Sequence, residues 1–298
     1  MTKTSTSAAP EAASFRRKLG PWYRKNGRRE LPWRLTRDPY AVLVSEVMLQ
    51  QTQVERVVPH YEAWLQRWPD FAALASVPAS EVIRAWRGLG YNRRALNLHR
   101  LAGLVVETYG GNLPNDAREL LNLPGVGSYT ASAVRCFARG EPVAVADTNI
   151  ARVLARAVLG AASQRDVPPG RIREAAAALV PVRNARDHNL GLMDLGAMIC
   201  QARVPHCEAC PVRTLCRWNT AGRPDETKRS PSLPKFETTA RYARGRIIDA
   251  LREHPASESE LASRLPESHR PRIQQYLEGL ARDGLAFETA GSWSLPES

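Results

Sequence analysis

The chain has 298 residues, enough for two domains, and 43% of them are hydrophobic, enough for each domain to bury a core. No stretch approaches the roughly eighteen apolar residues of a membrane-spanning helix, and the composition excludes collagen-like, disordered and disulfide-rich secreted classes. The formal net charge is +12, unevenly spread: residues 1–239 hold 34 basic and 21 acidic side chains, residues 240–298 hold 8 and 9. Such a surplus points to a polyanionic partner, because each cation that meets a phosphate releases condensed counterions.

In chain order, residues 1–14 are rich in Thr, Ser and Ala and lack the apolar centre of a signal peptide, so they read as a disordered leader on a cytoplasmic protein. From Phe15 to Trp218 the pattern is helical. Apolar residues recur at three- and four-residue spacing, as in Val42, Val44, Val47, Met48 and in Val82, Ile83, Trp86, and no alternating β-branched run is long enough for a central strand. Proline and glycine punctuate at Leu31-Pro32, Trp68-Pro69, Gly88 to Gly90, Gly110-Gly111 and Pro168 to Gly170. Residues 15–219 therefore read as one all-helical domain.

Within it, Leu123-Pro124-Gly125-Val126-Gly127 joins helices predicted over 116–122 and 128–138. Two glycines two residues apart permit a tight turn whose N–H groups open a helix, the makings of a phosphate site and a helix-hairpin-helix signature. Asp147 then emerges from an apolar stretch before an Arg-rich helix, placed both to cap that helix and to do chemistry.

Four cysteines follow in seventeen residues, Cys200, Cys207, Cys210 and Cys216, spaced as ligands of one metal centre. Zinc and a [4Fe–4S] cluster both accept four thiolates, and the single C-x2-C pair tilts the reading toward iron and sulfur. Arg203 sits inside the loop between the first two ligands, where it can meet a phosphate; a purely structural clip is the alternative. Cys136 lies on an apolar helical pattern and reads as a buried small hydrophobe.

Residues 220–239, with Pro224, Pro231 and Pro234, read as a linker. Beyond it, helices are predicted at Arg241 to His254, from a capping box at Ser257 and Glu260, and at Arg270 to Asp283, followed by β-like segments at 285–288 and 292–295. That is the order of a winged helix over residues 240–298. His269, Arg270, Arg272, Gln274 and Gln275 fall near or on its third helix, where they could face a DNA groove; the near-neutral charge of the segment supports a protein–protein or packing module instead.

The combination of Leu31-Pro32-Trp33-Arg34, the run Ser45-Glu46-Val47-Met48-Leu49-Gln50-Gln51-Thr52, Gly88-Leu89-Gly90-Tyr91, the hairpin, Asp147, Met193-Asp194-Leu195-Gly196-Ala197 and the cysteine run resembles the MutY-type adenine DNA glycosylases over residues 20–218. The resemblance implies a mainly α fold: a helix-hairpin-helix glycosylase with two helical lobes and a [4Fe–4S] loop at 200–216. It implies removal of adenine mispaired with 8-oxoguanine or guanine in duplex DNA, in base excision repair, by a monomer without membrane association.

Reaching a stacked base requires flipping the nucleotide, and adenine leaves well only when a ring nitrogen is protonated. By resemblance, Glu46 is the general acid at N7, its carboxyl raised by apolar neighbours, and Asp147 stabilises or attacks the oxocarbenium sugar. Tyr129 and Asn149 match residues that support the charged intermediate and the aspartate. Gln51 and Tyr91 match wedges into the duplex, and Leu123, Gly125, Val126 and Gly127 match the backbone clamp.

Endonuclease III shares this fold but carries a nucleophilic lysine where Tyr129 stands, so no Schiff base forms by that route and a glycosylase without lyase activity is expected. The chain departs from the family at Asn92, usually a second tyrosine, at Thr148, usually glycine, and at Ala151, a lysine in some relatives. It also lacks the length for the Nudix-like domain that reads 8-oxoguanine, so weaker discrimination against A:G is expected. Two other readings stand beside the first: a pyrimidine- or thymine-directed mismatch glycosylase, and a non-catalytic, redox-sensing DNA-binding protein.

Overall fold

The computed structural model describes residues 8–224 and 234–297. It is mainly helical, as expected. The chain begins with α1 (Ala8–Asn26), α2 (Pro32–Leu35), α3 (Pro39–Leu49), α4 (Val54–Arg67), α5 (Phe71–Ala75), α6 (Ala79–Ala85) and α7 (Arg93–Tyr109). The hairpin joins α8 (Ala117–Asn122) to α9 (Ser128–Phe137); α10 (Thr148–Ala157), α11 (Pro169–Leu179) and α12 (Ala185–Asp194) lead to the cysteine loop and the one-turn α13 (Arg217–Thr220). Among the described residues no helix is long and apolar enough to cross a membrane.

Residues 8–14 of the expected 1–14 leader are helical. Residues 1–7 lie outside the described residues, but α1 begins at Ala8, because Ala12 and Phe15 are buried and hold its early turns against the neighbouring helices. Of the expected linker, residues 225–233 lie outside the described residues, and Phe236–Thr238 forms a single 3-10 turn.

The described chain divides into two compact units, residues 8–39 with 127–224 and residues 40–126 with 234–297. The predicted body of 15–219 is thus shared between both. In the first unit α1 packs on α11 and α12, and α10 packs on α11, α12 and α13. Its most costly buried group is Asp194, fully covered at the end of α12. Arg34 Nη1 and Nη2 donate to its two oxygens at 2.6 and 2.9 Å, and the Arg28 backbone N–H and Nε each donate at 2.9 Å. Burial alone would raise this carboxyl, but the hydrogen bonds and charges of the two arginines outweigh it and hold it below the usual carboxylate range. Two of the motifs, Leu31 to Arg34 and Met193 to Ala197, are therefore one structural pair. Directly after it the helix widens into a π-turn, Leu195–Ile199, that delivers Cys200.

In the second unit α5 and α6 pack on α7, and the C-terminal segment joins the same core. It runs α14 (Ala240–Leu251), β1 (Ala256–Ser257), α15 (Glu258–Ser263), α16 (Ile273–Arg282), β2 (Phe287–Thr289) and β3 (Ser292–Ser294), with the strands antiparallel in the order β1-β3-β2. The predicted capping box is formed: Ser257 accepts from the Glu260 N–H, and Glu260 accepts the Ser257 N–H at 2.7 Å. Helix–strand–helix–helix–hairpin is the winged-helix order expected. Ile247, Leu251, Leu277 and Leu280 of this module share one buried cluster with Ala79 and Ile83 of α6 and Leu96 of α7.

Candidate active site

Asp147 caps α10. Its backbone is extended, Oδ1 accepts the Ile150 N–H at 2.7 Å, and Oδ2 accepts from Asn149 Nδ2 at 3.0 Å. The residue as a whole is half-buried, yet its carboxyl is withdrawn from water, and this raises its pKa; the two hydrogen bonds and the charge of Arg152 only partly oppose the rise. Such a carboxylate is oriented before any substrate arrives and gains most from a cation forming beside it.

Arg152 extends the network. Its Nη2 donates to Asn149 Oδ1 at 2.9 Å and to the Gly196 carbonyl at 2.6 Å, and its Nε donates to the Cys200 carbonyl at 2.6 Å. One guanidinium thus spans from the partner of Asp147 to the first cysteine. Gly196 is obligatory here, since a Cβ would lie 2.7 Å from both Cβ and O of Asn149. Tyr129, the second residue of α9, is half-buried in the same unit.

The four cysteines line one small, mostly apolar cavity with Ile199, Pro205 and Trp218. Burial, reinforced by the other three thiols, pushes Cys210 up to about 12. Arg156 closes the loop: Nη1 donates to Cys200 Sγ at 3.5 Å and to Gln201 O at 2.7 Å, Nη2 to Ala202 O at 3.0 Å, and its guanidinium lies 4.6 Å from the Trp218 ring centroid. Four thiols around one cavity, with Arg156 and Arg213 on its wall to offset thiolate charge, fit a cluster held by four thiolates. Arg203 is exposed on the loop beside Val204. Cys136 is fully buried, its thiol raised to about 11 by burial, and it accepts from Asn189 Nδ2 at 3.2 Å.

In the second unit, Glu46 is buried on α3 among Val44, Ser45, Val47 and Met48. The two wedge candidates follow on separate turns, and both sit in left-handed backbone, Gln51 at φ 58° and Tyr91 at φ 47°. Arg94 holds both turns. Its Nη1 donates to the carbonyls of Val47, Met48 and Gln50 at 2.8, 2.9 and 2.6 Å, and its Nη2 donates to Thr52 Oγ1, Leu89 O and Gly90 O, each at 3.0 Å. Burial lowers this arginine to about 10, so it stays charged at neutral pH.

In the hairpin, Val126 N–H donates to Leu123 O at 3.1 Å with Pro124 and Gly125 between them, and Gly125 takes φ +77°, a type II turn. Leu123 and Val126 are buried and anchor the turn, while Gly125, Gly127 and Ser128 are exposed, leaving the first turn of α9 open to solvent.

Of the two readings of the C-terminal module, His269 follows packing and not groove contact. His269 is fully buried: its Nε2 donates to the Glu237 carbonyl at 2.8 Å, so Nδ1 accepts the Tyr276 hydroxyl at 2.9 Å, and it faces no groove. Arg270, Arg272, Gln274 and Gln275 are exposed. Sequence reading missed Arg94, Arg152 and Arg156. For the last two a signal existed: they stand three and seven positions after Asn149, on the same face of α10.

The model of the HhH-GPD superfamily of base excision DNA repair proteins matches residues 44–187. An adenine DNA glycosylase of Mycolicibacterium smegmatis is 42% identical over 276 residues, 90% of this chain and 91% of that one. Among solved structures, a thermostable thymine-DNA glycosylase superposes with a TM-score of 0.66 at 35% identity, covering 71% of this chain and 98% of that one. Endonuclease III in a trapped covalent complex with DNA superposes at 0.60 with 25% identity, covering 71% and 98%. With that identity running along about nine-tenths of both chains, over a helical frame that carries Asp147 as a pre-oriented cap, the chain belongs to the adenine DNA glycosylases of the HhH-GPD superfamily.

Proposed function

We propose that this adenine DNA glycosylase hydrolyses the N-glycosidic bond of adenine paired with 8-oxoguanine or guanine, as a monomer on the cytoplasmic chromosome, and leaves the backbone uncut. The observation that carries the reading is Asp147: a carboxyl raised by burial and aimed by Ile150 and Asn149, in a chain with a near-full-length adenine glycosylase relative.

The adenine is flipped out, with Gln51 and Tyr91 filling the space it leaves. Glu46 delivers a proton to adenine N7, which turns the base into a neutral leaving group. As the C1′–N9 bond breaks, positive charge develops on the sugar, and Asp147 stabilises it better than water does because its orientation is already fixed. Tyr129 supports that charge, Asn149 keeps the aspartate in place, and water completes the hydrolysis. Tyr129 carries no amine, so no Schiff base forms there and the abasic product stays intact. The exposed N–H groups of Gly125, Gly127 and Ser128 grip a phosphate, and the buried Leu123 and Val126, closed on each other by the turn's hydrogen bond, set their direction. Cys200, Cys207, Cys210 and Cys216 would hold a [4Fe–4S] cluster whose contribution is structural, tying down the loop that presents Arg203 to the backbone.

Single-turnover excision tests the reading on A:8-oxoguanine, A:G and T:G duplexes, with each product analysed before and after alkali. Wild type should release adenine and cut only after alkali, and Glu46→Gln should abolish release. Equal product from wild type and variant, or preferential release of thymine, would overturn the assignment. Iron and sulfide analysis of the purified protein checks the cluster; zinc in their place would refute it.

A further inference from the structure

The C-terminal module has no role in the chemistry above, yet it reaches the wedge turn at three consecutive residues. Arg241 Nη1 donates to the Tyr91 hydroxyl. Arg252 Nη2 donates to Asn92 Oδ1 at 2.9 Å, while its Nε donates to Ile83 O at 3.0 Å. Arg93 pairs with Asp283 at 3.3 Å. The Asn92 side chain is the acceptor for the buried Arg252.

The contacts at Tyr91 form a column. The Arg94 guanidinium lies 5.6 Å from the Tyr91 ring centroid, and that of Arg241 lies 5.0 Å from Tyr91 and 4.9 Å from Phe236. Cation and aromatic ring alternate from the buried Arg94 to Phe236, which is 47% exposed. A residue at φ 47° is intrinsically strained and holds its place only when its surroundings overdetermine it. Arg94 fixes the backbone of this turn, and Arg241 is the group that fixes the ring.

We propose that Arg241 is a positioning residue for the Tyr91 wedge, and that the winged-helix module braces the turn which opens the duplex at the mispair. This rests on the reading of Tyr91 as a wedge. Holding the ring ready before DNA arrives removes ordering entropy from the insertion step, so the benefit appears in opening the mispair and not in binding undamaged duplex.

The test uses the full chain and a duplex with 2-aminopurine beside 8-oxoguanine, opposite a tetrahydrofuran abasic analogue, so that fluorescence reports unstacking without chemistry. Arg241→Ala should weaken the half-saturation of this signal by about tenfold, the scale of a cation–π contact plus a hydrogen bond. Its affinity for undamaged duplex and its melting temperature should match wild type, and Arg241→Lys should recover most of the loss. In a Tyr91→Ala background the same substitution should have no further effect. A normal signal from Arg241→Ala, or an undiminished loss in the Tyr91→Ala background, overturns the proposal. If Tyr91→Ala alone leaves the signal intact, the wedge reading fails instead.

Discussion

Two buried carboxyls on opposite sides of their usual pKa make opposite predictions. Asp194 is held low by Arg34 and Arg28, so it stabilises the fold above the unfolded carboxylate pKa, and that stability is lost as pH falls through its depressed folded value. Asp194→Asn should cost about 3–5 kcal/mol in urea unfolding at neutral pH, because it strands a buried guanidinium, and the gap to wild type should narrow in strong acid. Asp147 is held high, so the folded state takes its proton more readily than the unfolded chain and the carboxylate destabilises the fold at neutral pH. Asp147→Asn keeps a side-chain oxygen for the Ile150 N–H. Excision should fall by at least about a thousandfold while the melting temperature stays level or rises, with the difference largest near pH 7 and shrinking toward pH 4. The two aspartates look alike in sequence, each following an apolar run. Only their hydrogen-bond partners, more than a hundred residues away for Asp194 and within three for Asp147, separate the structural anchor from the aspartate proposed for the chemistry.

At the scale of elements, function depends on how closely α10 meets the π-turn. Gly196→Ala places a methyl within 2.7 Å of Asn149, whose amide is the partner of Asp147. The expected result is a loss of about 1–3 kcal/mol in stability, the usual range for overpacking, with a fall in single-turnover excision larger than adenine-duplex affinity alone explains. Helices and the hairpin were legible because their signals are local: apolar spacing, the Asp116 and Asp147 caps, and a Pro-Gly pair in the turn. The brace of Arg94 was not legible. Four of its acceptors, Val47, Met48, Gln50 and Thr52, lie 42 to 47 positions back in the chain, and in an Arg-rich sequence nothing in its spacing marks it as internal.

For the whole molecule, the +12 charge overstates what DNA can meet. Arg34, Arg94, Arg152, Arg156 and Arg252 are buried and spent on carbonyls, two carboxylates, a hydroxyl, side-chain amides and a thiol. Arg203, exposed on the cysteine loop, remains available. In anisotropy titrations of undamaged duplex between about 50 and 200 mM salt, Arg203→Ala should reduce the slope of log affinity against log salt by about 1. Arg156→Gln should leave that slope unchanged and instead loosen the loop, seen as faster loss of iron from the proposed cluster.

The sequence by itself determined the helical class, the hairpin turn and the clustering of the thiols along the chain, and it nominated the two carboxyls proposed for the chemistry, because each depends on neighbours within a few residues or on a family pattern in linear order. Tertiary structure alone decided which arginines are internal struts, that His269 is a core residue, and that the C-terminal module shares a core with α6 and α7 and grips residues 91–93. A guanidinium reaches several ångströms past its own backbone and bonds whatever carbonyl the fold brings near, and that choice of partner is made in space, with no periodicity to record it in the chain.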